Sequence, residues 1–169
     1  MNALSPHAAF VGQDDFRAAM RELAGGVAIV TTGTGDDRRG LTATAVCSLS
    51  AEPPTLLACV NRSAESHAAI LRHGAFCVNL TAGEHQALAE RFAGRAGVRG
   101  AERFAAGQWI TLATGAPVLA DAPAAFDCTV LDALERGSHT IFIGGVKAVH
   151  VTPRRPALVY RSGLFAALP

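Results

Sequence analysis

Three consecutive pieces of sequence decide the fold: VAIVTT at 27–32, GTGDDRRG at 33–40 and LTATAVCSLS at 41–50. The outer two are rich in β-branched residues, and the polar piece between them carries glycines and aspartates. That pattern reads as strand, turn, strand. A glycine-rich stretch after a strand can instead be a dinucleotide fingerprint, G-x-G-x-x-G at the start of a helix. Here the third glycine is Gly40, two positions late, and the residues after it are β-rich. Gly33 and Gly35 are therefore expected to turn a hairpin.

The pattern continues outward. Towards the N-terminus, Phe16, Met20 and Leu23 recur at helical spacing behind Asp14 and Asp15, one of which is expected to cap a helix that Gly25–Gly26 ends. Towards the C-terminus, Glu52-Pro53-Pro54 breaks the second strand. Strands are expected at 55–60, 75–80, 109–112, 124–134, 140–151 and 157–160. Short helices are expected at 67–73, capped from Ser63 to Ser66 and stopped by Gly74, and at 84–92. The Gly- and Arg-rich stretch 93–108 is expected to be a long loop, a type often used for function. Many short strands with few helices favour a closed or nearly closed antiparallel barrel in one domain spanning 1–169, with 1–13 a flexible leading segment.

Composition bounds the function. The chain has 169 residues, half of them apolar, with Lys+Arg 15 against Asp+Glu 14. That is enough apolar surface for a core. There is no basic excess for nucleic acid and, with one Trp and one Tyr, little aromatic surface for stacking bases. No apolar run reaches the length of a membrane span, and the first residues lack the pattern of a signal peptide; a cytoplasmic, reducing location is expected from the cysteines, which read as free thiols. Cys47, Cys59, Cys77 and Cys128 sit in apolar strand-like runs and are expected to be buried free thiols. The six histidines, His7 among them, show no metal-ligand spacing, so no metal is expected.

Three elements carry chemistry. On 41–50, strand alternation puts Thr42, Thr44, Val46, Ser48 and Ser50 on one face and the small apolar Leu41, Ala43, Ala45, Cys47 and Leu49 on the other. The hydroxyl row, with nearby backbone N–H groups, suits a phosphate or a heterocycle edge; it equally suits a solvated outer face. Asn61-Arg62-Ser63-Ala64-Glu65-Ser66 joins a strand to a helix, where Arg62 and the serines can grip a phosphate or simply cap the helix. His139, in Gly137-Ser138-His139, either reaches across a cleft or merely ends a turn. By themselves these residues suggest a phosphorylated ligand and no particular reaction.

The longer words FRAAMRELAGGVAIVTT, GLTATAVCSLSAEPPTLLACVNRSAESHAAI, ALAERFAG, TGAPVLADAPAAFDC and GSHTIFIGGVKAV, in that order and spacing, resemble the short-chain flavin reductases, the small components of two-component flavin monooxygenases. The resemblance runs from about Phe16 to about Phe165. It implies a mainly β Greek-key split barrel that binds FMN or FAD, takes hydride from NADH or NADPH, works as a homodimer and supplies reduced flavin to a separate oxygenase. A strand apolar on both faces, as at 55–60, fits a barrel wall covered by a partner subunit.

Carried over by residue, the resemblance puts Thr42, Ala43, Thr44 and Ala45 against the flavin ring and Ser48 and Ser50 towards the ribityl–phosphate side. Asn61, Arg62, Ser63 and Ser66 would hold the phosphate. Phe92 and Arg95 would flank the cofactor, and His139 would orient the nicotinamide. Arg154, Arg155 and Arg161 are cations whose relation to a 2′-phosphate the sequence leaves open. Two other readings remain at this point, a non-catalytic flavin-binding barrel and an oxidase of pyridoxamine-phosphate type; the second expects a denser basic cluster than Arg62 and its neighbours supply.

Overall fold

The computed structural model describes residues 10–153 and 155–169. His7, Arg154 and most of the 1–13 segment lie outside the described residues. Helix α1 spans Gln13–Met20. Asp14 and Asp15 do not cap it: both lie in its first turn, where their charge complements the positive end of the helix dipole, and Gly12 holds the cap position. Gly25–Gly26 is a short strand, β1, rather than a helix stop, because it pairs with Tyr160 and Val159. Strands β2 (Ala28–Thr32) and β3 (Arg39–Ala43) form the expected hairpin around a 3₁₀ turn at Gly35–Asp37. Gly33 sits there at φ 79°, a conformation that side chains resist.

Then come β4 (Val46–Ala51), β5 (Pro54–Asn61), α2 (Glu65–His73), β6 (Ala75–Leu80), α3 (Gln86–Phe92) and β7 (Trp109–Thr111). The C-terminal part adds β8 (Pro117–Leu119), β9 (Ala124–Arg136), β10 (His139–Val151), β11 (Ala157–Arg161) and β12 (Leu164–Leu168). β8 and β12 were not legible in sequence. The first is three residues starting at a proline, and the second lies in what reads as a short tail.

Seven antiparallel strands make the main sheet, in the order β3-β2-β6-β9-β10-β5-β4. Its two edge strands, β3 and β4, are consecutive in the chain. The sheet is therefore closed into a barrel by the corner Thr44–Ala45 itself, where Cys59 N–H bonds Ala45 C=O at 2.9 Å. β3 and β4 do not pair with each other, so the barrel is split along that seam. This corrects the single strand expected over 41–50. The alternation inverts at the corner: Ala43 points into the core before it and Val46 packs inward after it, while Cys47 and Leu49 become exposed. The hydroxyl row is thereby cut in two.

The barrel interior holds Val30, Leu56, Val60, Phe76, Val78 and Phe142, all but closed to solvent. A side chain as large as Phe76 contributes about 1.5–3 kcal/mol by such burial. A second cluster lies outside β2 and β6, where Phe92 of α3 meets Phe104 edge-on at 5.0 Å between ring centroids and Trp109 at 5.5 Å. Asn79 pins the β7–β8 hairpin over this layer: its Nδ2 donates to Ile29 C=O at 3.0 Å, and its Oδ1 accepts Leu119 N–H at 2.7 Å. Such a buried amide costs little because its bonds are made. Cys77 and Cys128 are buried free thiols as expected, but Cys47 is exposed, because the corner turns that part of β4 outward, and Cys59 on the outer face of β5 is half-buried.

Candidate functional site

β3 is an edge strand with one partner. In an antiparallel ladder, alternate residues turn their N–H and C=O away from that partner. Gly40 C=O accepts a hydrogen bond from Arg103 Nη1 at 2.8 Å, so Gly40 faces outward, and so do the backbone groups of Thr42 two residues on. Two cavities run along this edge. One of about 380 Å³ is bounded by Gly40 and Leu41, by Ser63 and Ser66 at the start of α2, and by Arg99 and Arg103 from the loop after α3. The other, about 200 Å³, lies over Thr42, Ala43 and Thr44 and is walled by Arg95, Tyr160 and Phe165. A third, mostly apolar cavity of about 400 Å³ opens at the barrel mouth beside Val46, Ser48, Ser50, Leu56 and Val146. Thr44 lines both the second and the third.

The expected site residues separate accordingly. Thr42, Ala43, Thr44 and Arg95 come together at the smaller β3 cavity. The Thr42 hydroxyl is spent on Ala89 C=O at 2.6 Å, so its backbone rather than its side chain is offered to a ligand. Arg95 lies 3.5 Å from the Tyr160 hydroxyl and over the Phe165 ring at 5.6 Å. Ser48 and Ser50 line the barrel mouth instead, and Ser50 Oγ is bonded to the backbone of Glu52. Ala45 is exposed at the corner.

Ser63 and Ser66 reach the larger β3 cavity, but neither caps α2; Ala64 holds that position. Asn61 Oδ1 accepts from Ser63 N–H and from Ser63 Oγ, both at 2.9 Å, which fixes the loop. Ser66 is 2% exposed and its Oγ has no partner. A buried hydroxyl left alone is costly, so its presence at a cavity wall points to a ligand that bonds it.

Two expectations are corrected. Arg62 turns away from the cavity and pairs with Glu135 at 3.2 Å across the end of the sheet. Phe92 is 1% exposed and belongs to the outer core, where it supports Gly40 from beneath rather than flanking a ligand. His139 stands exposed at the start of β10, opposite Asn61, with its Nδ1 sharing a hydrogen bond with Ser138 Oγ at 2.9 Å. It thus lies at the Asn61 end of β5 and lines neither β3 cavity.

Arg103 and Arg99 were missed as site residues, although the Gly- and Arg-rich loop that holds them stands out in the sequence. Arg103 organises that loop: Nε donates to Val98 C=O at 3.2 Å, and Nη1 reaches Phe92 C=O at 2.9 Å as well as Gly40. Burial lowers its pKa, Glu65 nearby raises it in part, and Arg99 adds to the lowering. The group stays charged all the same. Among the described residues no cluster of His, Cys, Asp or Glu could hold a metal ion. No described helix is long and apolar enough to cross a membrane.

Residues 20–169 match the flavin reductase like domain family, which covers the barrel, the β3 edge and both of its cavities. The chain belongs to this family. It is 45% identical over 159 residues to the FMN reductase (NADH) RutF 2 of Methylorubrum extorquens, covering 94% of this chain and 91% of that one. It superposes with a TM-score of 0.85 on BorF, the flavin reductase component of a bacterial two-component tryptophan halogenase, at 36% identity over 94% of this chain and 99% of the other. The NADH:FAD oxidoreductase SgcE6 of Streptomyces globisporus, solved with NAD and FAD fragments, matches with a TM-score of 0.84 and 29% identity, covering 96% and 98% of the two chains. A flavin reductase barrel of this family therefore carries the split seam and the β3 groove described above.

Proposed function

We propose that the protein is an NADH-dependent flavin reductase that reduces FMN or FAD and passes the reduced flavin to a separate oxygenase. The single observation that carries the reading is the groove along β3. It joins free strand-edge backbone groups at Thr42 to an unpartnered Ser66 hydroxyl and two arginines, in a chain of this family. When bound, the flavin would supply the acceptor for the hydride, and hence the electron pair, that the nicotinamide gives up.

The chain's own residues then have limited tasks. Thr42 offers one N–H donor and one C=O acceptor at the strand edge, which suits the polar rim of the ring. Ala43 turns its side chain into the barrel, so no large side chain there keeps a flat heterocycle from the strand edge. Arg95, held only by a long contact to Tyr160 and by the Phe165 ring, brings positive charge near the ring end, where reduction adds electron density. Ser63 and Ser66, with the first amides of α2, face the phosphate. His139 offers an exposed imidazole to the incoming nicotinamide nucleotide. Ser48 and Ser50 belong to this site only if the ligand also reaches past Thr44 into the barrel mouth.

A homodimer forms part of the same reading. On the outer faces of β5 and β10, Leu57, Cys59, Ile141 and Ile143 are only partly exposed and lie side by side in the strand register, an apolar wall suited to a second subunit. A cytoplasmic site of action, where NADH is available, completes it. The test is NADH consumption followed by absorbance with purified protein and added FMN or FAD. Flavin-dependent consumption is expected; flavin binding without consumption would make the protein a carrier.

A further inference from the structure

We propose that Cys47 and Cys59 form a modification site, a thiol pair that a hydroperoxide oxidises to a disulfide beside the Thr44–Ala45 corner. The bond itself is independent of the flavin-reductase reading. Its effect on turnover, through Thr44, rests on that reading.

The strand register brings the two thiols together. Cys59 N–H bonds Ala45 C=O, and Val46 and Cys47 lie opposite Ala58 and Leu57. Val46 and Ala58 pack into the barrel, so Cys47 and Cys59 both point outward and stand as diagonal neighbours on one face. Such neighbours have Cα atoms about 7–8 Å apart, with their side chains nearer. A disulfide needs about 4.4–6.8 Å, so β4 must move towards β5 by roughly 1 Å. β4 can do so, being an edge strand whose register on β5 already shifts between Ser48 and Ser50.

The two thiols have unlike surroundings. Cys47 is exposed and Cys59 is half-buried in the apolar wall of β5 and β10. Burial raises the Cys59 thiol, and the charge of Cys47 raises it further. Cys47 is therefore the thiol that meets an oxidant. Its thiolate attacks the peroxide O–O bond; sulfur is oxidised to the sulfenic acid and hydroxide leaves. The sulfenic acid is uncharged, so one of the two causes that keep Cys59 protonated is gone. Cys59 then gives up its proton and attacks the Cys47 sulfur; the S–S bond forms and water leaves. Hydrogen peroxide is what dioxygen and a released reduced flavin give when no oxygenase intervenes, so the oxidant is a by-product of turnover. The bridge draws β4 in at the corner. Thr44 there lines both the smaller β3 cavity and the barrel mouth, so oxidation should slow flavin reduction.

The experiment treats the purified protein with hydrogen peroxide, alkylates it and digests it with trypsin. Residues 40–62 form one peptide that holds both cysteines and no internal Lys or Arg. In the wild type this peptide should become lighter by a pair of hydrogens and resist alkylation. Flavin-dependent NADH consumption should fall several-fold, and dithiothreitol should reverse both changes. Cys47→Ser should keep its activity and its response should vanish, with thermal unfolding confirming the fold. Cys59→Ser should stop at a sulfenic acid on Cys47, trapped by dimedone. Two thiols still open to alkylation, overoxidised Cys47 beside a free Cys59, or a bond between subunits on a non-reducing gel overturns the proposal. A bridge that leaves turnover unchanged overturns its link to the corner. No flavin-dependent NADH consumption before peroxide overturns the flavin-reductase reading instead, and the peptide mass still decides the bond.

Discussion

Gly40→Ala tests how the outer core supports the groove. A methyl group at Gly40 would lie 2.7 Å and 2.9 Å from two ring carbons of Phe92 and 3.1 Å from Val30 C=O. Real Cβ atoms do not approach so closely, so either the ring or the strand must move. The ring has little room, because Phe92 is buried and held edge-on against Phe104 and against Trp109. The carbonyl belongs to β2, the strand paired with β3 in the sheet. Overpacking of this sort costs about 1–3 kcal/mol. For a chain of this size that lowers Tm by about 2–12 °C. Because β3 also carries the groove, FMN affinity should fall with it. Calorimetry and flavin titration read the two effects. Phe92→Leu removes the clashing ring edge, so the double variant should be less destabilised than the sum of the single ones by roughly 1 kcal/mol or more. An unchanged Tm in Gly40→Ala, or strict additivity with Phe92→Leu, would refute the packing argument.

Other outcomes rest on the same structure. Hydrogen bonds from Arg72 and His73 hold the Asp37 carboxyl below the usual carboxylate range. A depressed pKa stabilises the fold above the ordinary carboxylate value and ceases to do so as pH falls through the lowered one. Asp37→Asn should therefore lower Tm at neutral pH, and the difference from wild type should shrink in acid; a difference that grows in acid contradicts the assignment. Burial, with the Asp127 charge added, pushes the Cys128 thiol up to about 12 and raises Cys77 as well. A thiol reagent at mildly alkaline pH should label no more than two cysteines in the native protein and all four in denaturant, and fast labelling of all four in the native state would show a looser core. His139→Ala should raise the NADH KM and lower kcat while leaving FMN affinity in place. Unchanged kinetics would remove His139 from the nicotinamide site.

The hairpin at 27–43 was legible because its turn needs glycine at Gly33 and its strands are rich in β-branched residues, both local causes. The corner at Thr44–Ala45 was not. Nothing in LTATAVCSLS breaks a strand; the break is imposed where the sheet closes on itself, and only tertiary structure supplies that demand. The error then spread: continuing the alternation past Ala45 assigned Ser48 and Ser50 to the same face as Thr42, and buried Cys47. Arg62 illustrates a second limit. A charged residue beside a helix start reads as a phosphate ligand, but the β9–β10 hairpin brings Glu135 to it from 73 positions away in the chain, and no local pattern signals that. Phe92 was assigned to the cofactor by the family resemblance, whereas the structure places it in the outer core. Arg99 and Arg103 were visible only as composition, since their cavity exists only once the loop folds around the Arg103 guanidinium.

The most direct test is a crystal structure of the protein with FMN. The account predicts the ring against the edge of β3 at Thr42–Thr44 and the phosphate at Ser63 and Ser66 by the start of α2. FMN seated instead in the barrel mouth among Val46, Leu56 and Val146, with the β3 edge bare, would contradict it.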